Sequence, residues 1–150
     1  MSQPLIILAS NRRESNTEKA LKDIYGDNPY HLVNLLDYKI QPYNYRGAYS
    51  ADDNFMNIVN VMLEHDNVTF ATPVYWYSMS GLLKTFMNRL TDVVTTQKEI
   101  GKRMHGKSLA VIAAGSDLHL PDGFETPFLL TAQYFGMVFK GVTYQAFEEK

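Results

Sequence analysis

Leu5-Ile6-Ile7-Leu8-Ala9-Ser10-Asn11-Arg12-Arg13-Glu14-Ser15-Asn16-Thr17 contains three successive local instructions. The first five residues are apolar and favour a strand covered on both faces. The polar residues after Ala9 cannot continue that strand into a core, so the chain must turn there. Ser15 and Glu18 then fit the S-x-x-E capping box, which starts a helix inside the polar stretch. Strand, polar loop and helix start, in that order, open a βα unit. The loop also gathers the hydroxyls of Ser10, Ser15 and Thr17, the Asn16 amide, the Arg12 guanidinium and the free N–H groups of a helical first turn. Those donors suit a phosphate monoester. A well-capped turn without a ligand would use some of the same residues, so the rest of the chain must arbitrate.

Outward from this unit, five strand-like segments alternate with four helix-like ones. The strands are expected at 5–9, 31–35, 68–71, 109–114 and 138–144, and the alternation predicts a parallel sheet with helices on both faces. The first, third and fourth segments are almost uninterruptedly apolar and belong inside. The second and fifth carry polar residues such as Asn34, Lys140 and Thr143, which edge strands tolerate. The predicted fold is therefore α/β, a doubly wound five-stranded parallel sheet in the order 2-1-3-4-5. Helix stripes support it: Phe55, Ile58, Val59 and Met62 on a helix over 52–64, and Leu82, Leu83, Phe86, Met87 and Leu90 on the next. Thr17, Ala20, Leu21 and Ile24 make a narrower stripe on the first helix, and Phe128, Leu129, Ala132 and Phe135 mark a helix over 124–135.

With 150 residues and 45% hydrophobic composition, the chain has material for one core, so residues 1–150 are expected to form a single domain. A net charge of −2 gives no clustered positive field for nucleic acid or a membrane surface, and the expected partner is a small molecule. The absence of cysteine removes thiol nucleophiles, disulfides and Cys-ligated metals, and no metal site is expected. Redox chemistry would then have to come from a bound cofactor. No basic n-region precedes the first strand and no segment approaches the ~18 apolar residues of a membrane span, so a soluble, cytoplasmic protein is expected.

In an open α/β sheet, ligands sit beyond the carboxyl ends of the strands where strand order reverses, here between strands one and three. The loop at 10–17 and a second one, Thr72-Pro73-Val74-Tyr75-Trp76-Tyr77-Ser78-Met79-Ser80-Gly81, should face a common cleft. The loop at 115–123, beginning Gly115-Ser116, should close its far side. A ligand with a phosphate at one end and a flat, hydrogen-bonding aromatic head at the other matches all three loops, and FMN has that shape. Arg12 offers a bidentate fork to a dianion. Pro73 biases Thr72 toward extended backbone and leaves a fixed turn whose amides can address a polar ring edge. Trp76 and the tyrosines beside it supply flat apolar surface that excludes water.

With Ser10-x-Arg12-x-x-Ser15-Asn16-Thr17 and Thr72-Pro73-Val74-Tyr75-Trp76-Tyr77-Ser78, followed by Ser80-Gly81 and Lys84, the chain resembles the flavodoxin-like NADPH-dependent FMN reductase and NAD(P)H:quinone oxidoreductase family. The resemblance runs through nearly the whole chain. It implies that Ser10, Arg12, Ser15, Asn16 and Thr17 hold the FMN phosphate, that Pro73, Val74, Tyr75, Trp76, Tyr77 and Ser78 lie along the ring, and that Gly115 and Ser116 border it. It further implies NADPH or NADH as reductant, a quinone-like, azo or flavin acceptor, ping-pong turnover and a homodimer or homotetramer. Hydride chemistry of this kind requires no protein acid or base, so no catalytic side chain is expected. Family members usually carry Asp before the Arg of the third helix. This chain has Asn88-Arg89 instead, so the ion pair that Asp would make is open.

The alternative on the same sheet is a flavodoxin-type electron carrier or a regulatory FMN-binding protein without NAD(P)H turnover. Balanced charge and Arg12 argue against the carrier, which is usually strongly acidic with an Arg-free phosphate loop. A phospho-receiver would need acidic residues where Ser10-Asn11 and Thr72-Pro73 stand. P-loop and dinucleotide glycine motifs are absent. His31 and His65 are expected to be structural, His119 an ordinary loop residue, and the turn around Lys102, Arg103, His105 and Lys107 a solvated basic one.

Overall fold

The computed structural model describes residues 3–148. β1 (Leu5–Leu8), β2 (His31–Asn34), β3 (Asn67–Pro73), β4 (Ser108–Gly115) and β5 (Val138–Ala146) form one sheet in the order β2-β1-β3-β4-β5, with every neighbouring pair parallel. This is the expected flavodoxin-like doubly wound arrangement. Five α-helices connect the strands: α1 (Asn16–Tyr25), α2 (Phe55–Leu63), α3 (Gly81–Asn88), α4 (Lys98–Lys102) and α5 (Thr126–Phe135). Short 3-10 turns at Leu35–Asp37 and Arg89–Val93, and the single-turn α4, carry no apolar repeat long enough to be read from sequence.

The two faces of the sheet are covered unequally. Val33, Ile7, Phe70, Val111 and Val142 lie in one row across the strands, on the face that α2, α3 and α5 cover. Phe70 stands at its centre, with ring centroids 6.1 Å from Phe86 of α3 and 6.3 Å from Phe128 of α5. The opposite face is covered by α1, through Ala20 and Leu21 against Ile6, Leu8, Ala71, Ile112 and Ala114. Right-handed crossovers explain this: the chain moves from β1 to β2 on one side, then reverses direction and carries every later helix over the other. On the α1 face, β5 presents Thr143 and Gln145, the register partners of Ile112 and Ala114, and Gln145 Nε2 donates to Asp23 Oδ2 at 3.0 Å. Polar residues on that strip need no apolar cover. A bulge opposite Ala110 accommodates Gly141 at φ 92°, a conformation that favours glycine.

The helix expected over 124–135 begins at Thr126, and two further differences from expectation have a physical cause. The helix predicted over 52–64 begins at Phe55, because the Asp53 carboxylate is occupied outside it. Asp53 accepts from the Gln41 N–H at 2.8 Å and the Phe55 N–H at 3.2 Å, and forms a two-pronged pair with Arg89 at 2.8 and 3.0 Å. Ile24, placed on the buried stripe of α1, is 39% exposed because the single covering helix leaves its last turn at the sheet's margin.

Arg89 is the largest fully buried side chain. Its guanidinium pairs with Asp53 and with Asp92 at 2.9 Å, donates to the Gln41 carbonyl at 3.0 Å, and lies under Tyr49 with 3.4 Å from its carbon to the ring centroid. Position 88 faces Lys84 instead: Asn88 Oδ1 accepts from Lys84 Nζ at 2.8 Å, a neutral acceptor where an Asp would make an ion pair, while Arg89 finds its carboxylates in Asp53 and Asp92. Burial works against the Asp53 carboxylate, but the Arg89 bonds and the two backbone N–H groups hold its pKa below the ordinary value. His65 Nδ1 donates to the Gln3 carbonyl at 2.9 Å and its other nitrogen meets His31 Nδ1 at 3.0 Å, which ties β2 to the base of β3 in a structural role.

Candidate functional site

β1 delivers its polar loop directly beyond the carboxyl end of the sheet, with the Ala9 N–H still bonded to Ala71 at 2.8 Å. Ser15 caps α1 by accepting from the Glu18 N–H at 3.3 Å. The return bond of the capping box goes one residue further back, from the Glu14 N–H to Glu18 Oε1 at 3.2 Å, and Glu14 takes a φ of 53° to allow it. The hydroxyls of Ser10, Ser15 and Thr17 are buried at this helix start. Thr17 is 1% exposed, and its Oγ1 has no hydrogen-bond partner among the described residues. A buried hydroxyl without a partner costs about 1–3 kcal/mol, so this one points to an acceptor or donor supplied from outside. The two arginines of the loop are distinguished by their neighbours. Arg13 pairs with Asp37 at 2.6 Å, whereas Arg12 has no carboxylate partner among the described residues and lines the cleft.

The loop after β3 is anchored by two buried hydroxyls. Thr72 Oγ1 accepts from the Ser80 N–H at 2.9 Å, and Ser80 Oγ donates to the Ala9 carbonyl at 2.7 Å while capping α3 through the Leu83 N–H at 3.1 Å. The ends of β1 and β3 and the start of α3 are thereby locked together. Between these anchors, Tyr75 and Ser78 exchange backbone bonds of 2.8 and 3.1 Å around Trp76 (φ 48°) and Tyr77 (φ 68°). Positive φ at both central residues is the requirement of a tight hairpin turn that Asn-Gly usually fills. Two aromatic residues in that conformation store strain of about 1–3 kcal/mol each, which is characteristic of functional loops. Trp76 is 91% exposed, so no packing in the monomer repays it. The Val74, Tyr75 and Ser78 N–H groups are consumed by the sheet and the turn, and those of Trp76 and Tyr77 carry no bond among the described residues.

A cleft of about 730 Å³ lies between the loops. Of the expected site residues, Ser10, Arg12, Ser15, Asn16, Thr17, Pro73, Val74, Tyr75, Gly115 and Ser116 line it. Trp76 and Tyr77 instead border an adjoining recess of about 240 Å³, which shares Val74, Gly115 and Ser116 with the cleft. Ser78 lines neither, since its backbone closes the tight turn. Sequence reasoning missed Lys19, Ala114, Phe147 and Glu148 in the cleft and Asp117 and Tyr144 in the recess. Lys19 was findable, since it follows Ser15 by one helical turn. Tyr144 and Phe147 reach the site only through the β4–β5 register, which no local motif encodes. The basic turn at His105 lies at the opposite end of β4, whose eight residues span about 25 Å, and so cannot meet a ligand in the cleft. His119 does not line either space.

Buried hydroxyls, a guanidinium without a carboxylate partner among the described residues and a helix start at one end, and a tight aromatic turn at the other, fit a phosphorylated flat ligand; with Trp76 91% exposed, the turn does not by itself exclude water as expected. The sequence profile of the family described as NADPH-dependent FMN reductase matches residues 4–139. The chain belongs to this family. Within it, YwqN of Bacillus subtilis (strain 168), whose name assigns it provisionally to the NAD(P)H-dependent FMN-containing oxidoreductases, is 31% identical over 91% of this chain and 80% of its own length. The fold is shared with the Trp repressor binding protein from Bacillus subtilis (TM-score 0.78, 22% identity, 98% of this chain and 86% of that one). It is also shared with general stress protein 14 from Treponema denticola, solved in complex with FMN (TM-score 0.65, 20% identity, 95% and 85%). The FMN reductase family thus places this chain among NAD(P)H-dependent FMN oxidoreductases. No helix among its described residues is long and apolar enough to cross a membrane, and no group of His, Asp or Glu side chains among them is arranged to hold a metal.

Proposed function

We propose that residues 1–150 act as one FMN-binding unit that oxidises NADPH or NADH and reduces a quinone-like, azo or flavin acceptor by a ping-pong mechanism. The observation that carries this is the buried, unpartnered Thr17 hydroxyl, set among Ser10, Ser15, Asn16 and Arg12 at the start of α1. When bound, FMN would supply two-electron hydride chemistry between a reduced nicotinamide and the acceptor.

The chain's own residues do the rest. Arg12 neutralises a phosphate that the hydroxyls and first-turn N–H groups orient, and these donors are pre-aligned by the Ser15 cap. Pro73, Val74, Tyr75, Gly115 and Ser116 wall the slot for a ring. The N–H groups of Trp76 and Tyr77, which carry no bond among the described residues, are left as donors for a ligand beside the turn. The exposed Trp76 ring offers a flat surface to whichever substrate enters. No side chain need move a proton.

We further propose a cytoplasmic homodimer or homotetramer. Met87, Leu90, Val94 and Phe135 line a groove of about 300 Å³ between α3 and α5, and Leu130 and Tyr134 of α5 stand exposed on its rim. Ridge and groove on one patch suit a two-fold contact between identical chains.

An anaerobic visible spectrum of FMN-loaded protein before and after NADPH tests the central claim. Prompt bleaching of the flavin bands is expected. Bands that persist with NADPH and fade with dithionite would mean a carrier or regulatory flavoprotein, and a protein that retains no FMN would overturn the cofactor assignment. Parallel double-reciprocal plots across acceptor concentrations are expected for the ping-pong scheme.

A further inference from the structure

Tyr144 lies on β5, outside every motif of the site, yet its hydroxyl holds the loop after β4 and its side chain borders the same recess as Val74 of the β3 loop. Its hydroxyl donates to the Asp117 carbonyl at 2.6 Å. A Cβ added to Gly115 would stand 2.8 Å from that hydroxyl, 3.3 Å from the ring's Cε1 and 3.2 Å from the Cβ of Val74. The phenol from β5 and Val74 from the β3 loop therefore both close on Gly115, leaving no room for a side chain there. The same three residues border the recess beside Trp76 and Tyr77.

We propose that Tyr144 is the positioning residue for the flavin, holding the 115–117 turn at a fixed separation from the β3 loop so that the slot keeps the width of a planar ring. It rests on the FMN assignment above. Gly115 follows from it: that position has no side chain because the phenol occupies the space, so the two residues are a matched pair. The hydroxyl is the working group, since it alone reaches the carbonyl of the turn. Burial, reinforced by the neighbouring Asp117 charge, pushes its pKa above the ordinary tyrosine value, in keeping with a protonated phenol that donates to the turn. The ring also packs partly against the main core, which is why the test must separate hydroxyl from ring.

The variants are Y144F, G115A and Y144F/G115A, compared with wild type in FMN dissociation constant by fluorescence quenching, in visible flavin spectrum and in apoprotein Tm. Y144F is expected to weaken FMN about fivefold, equivalent to ~1 kcal/mol, with a perturbed flavin spectrum and an apoprotein Tm within about 2 °C of wild type. G115A is expected to weaken FMN at least tenfold in wild type and markedly less in the Y144F background, because the closest contact is with the deleted oxygen. Wild-type affinity and spectrum in Y144F, or a G115A penalty equal in both backgrounds, would overturn the proposal while leaving FMN binding intact. So would a Y144F apoprotein that melts far below wild type, since that assigns the hydroxyl to stability of the fold. A wild-type protein that takes up no FMN would overturn the cofactor assignment, and this inference with it.

Discussion

Thr17 and Trp76 each hold an unfavourable local state that a ligand would justify. Replacing Thr17 by Val keeps the shape and deletes the unpartnered oxygen. The apoprotein should gain about 1 kcal/mol, raising Tm by roughly 2–4 °C, while FMN affinity falls about tenfold. Calorimetry with and without FMN checks both halves; a lower apoprotein Tm would mean the hydroxyl already has a partner. Trp76→Gly removes a non-glycine residue from φ 48° without sacrificing packing, since the side chain is 91% exposed. Stability should rise by about 1 kcal/mol and kcat/KM for NADPH should fall, the trade expected where strain serves function. Steady-state kinetics beside a thermal melt would show it; unchanged kinetics would remove Trp76 from the site. The residue types at 10–17 and 72–78 were legible as donors and aromatics from the sequence. Their states were not, because positive φ and an unpaired oxygen are products of the surrounding fold.

At the level of elements, the buried Arg89 cluster joins the connection before α2 to the 3-10 turn after α3. Removing one partner of such a pair leaves charges buried and uncompensated, so Arg89→Leu should destabilise by about 3–5 kcal/mol, read as a fall in the urea midpoint. The pH dependence has a definite sign. Asp53 has a pKa held below its ordinary value, so between that value and the folded one the unfolded chain binds more protons. Its contribution is present above about pH 4 and is lost as pH falls through the folded pKa. Asp53→Asn should therefore lower the urea midpoint at pH 7 and flatten its decline below pH 4; an equally steep decline would exonerate Asp53. The long helices were legible from their periodicity and the five strands from apolar runs alternating with those helices. Helix α4 and the two 3-10 turns were not, because a single turn presents no repeat and is held by its neighbours.

For the whole molecule, the unequal cover of the sheet leaves α5 exposed on the more heavily covered side. Leu130→Glu would place a charge on the rim of the groove between α3 and α5. Sedimentation velocity should then report a smaller species than wild type, with the FMN spectrum preserved. Identical sedimentation of the two proteins would move the contact elsewhere.

The sequence alone determined the strand order and the succession of strands and long helices, and marked the loops at 10–17 and 72–81 as the polar and the aromatic one beyond the sheet. These rest on apolar periodicity, capping chemistry and right-handed crossovers, all of which act within one or two elements at a time. Tertiary structure alone decided which residues share the cleft. The β4–β5 register brings Tyr144 and Phe147 to the site, the tight turn sends Trp76 and Tyr77 to the adjoining recess, and Asp53 is drawn out of α2 to meet Arg89. The first and last of these are contacts between residues distant in sequence, set by register and packing once the sheet has formed, and the turn closes through local bonds between Tyr75 and Ser78 while its ends are anchored by Thr72 and Ser80.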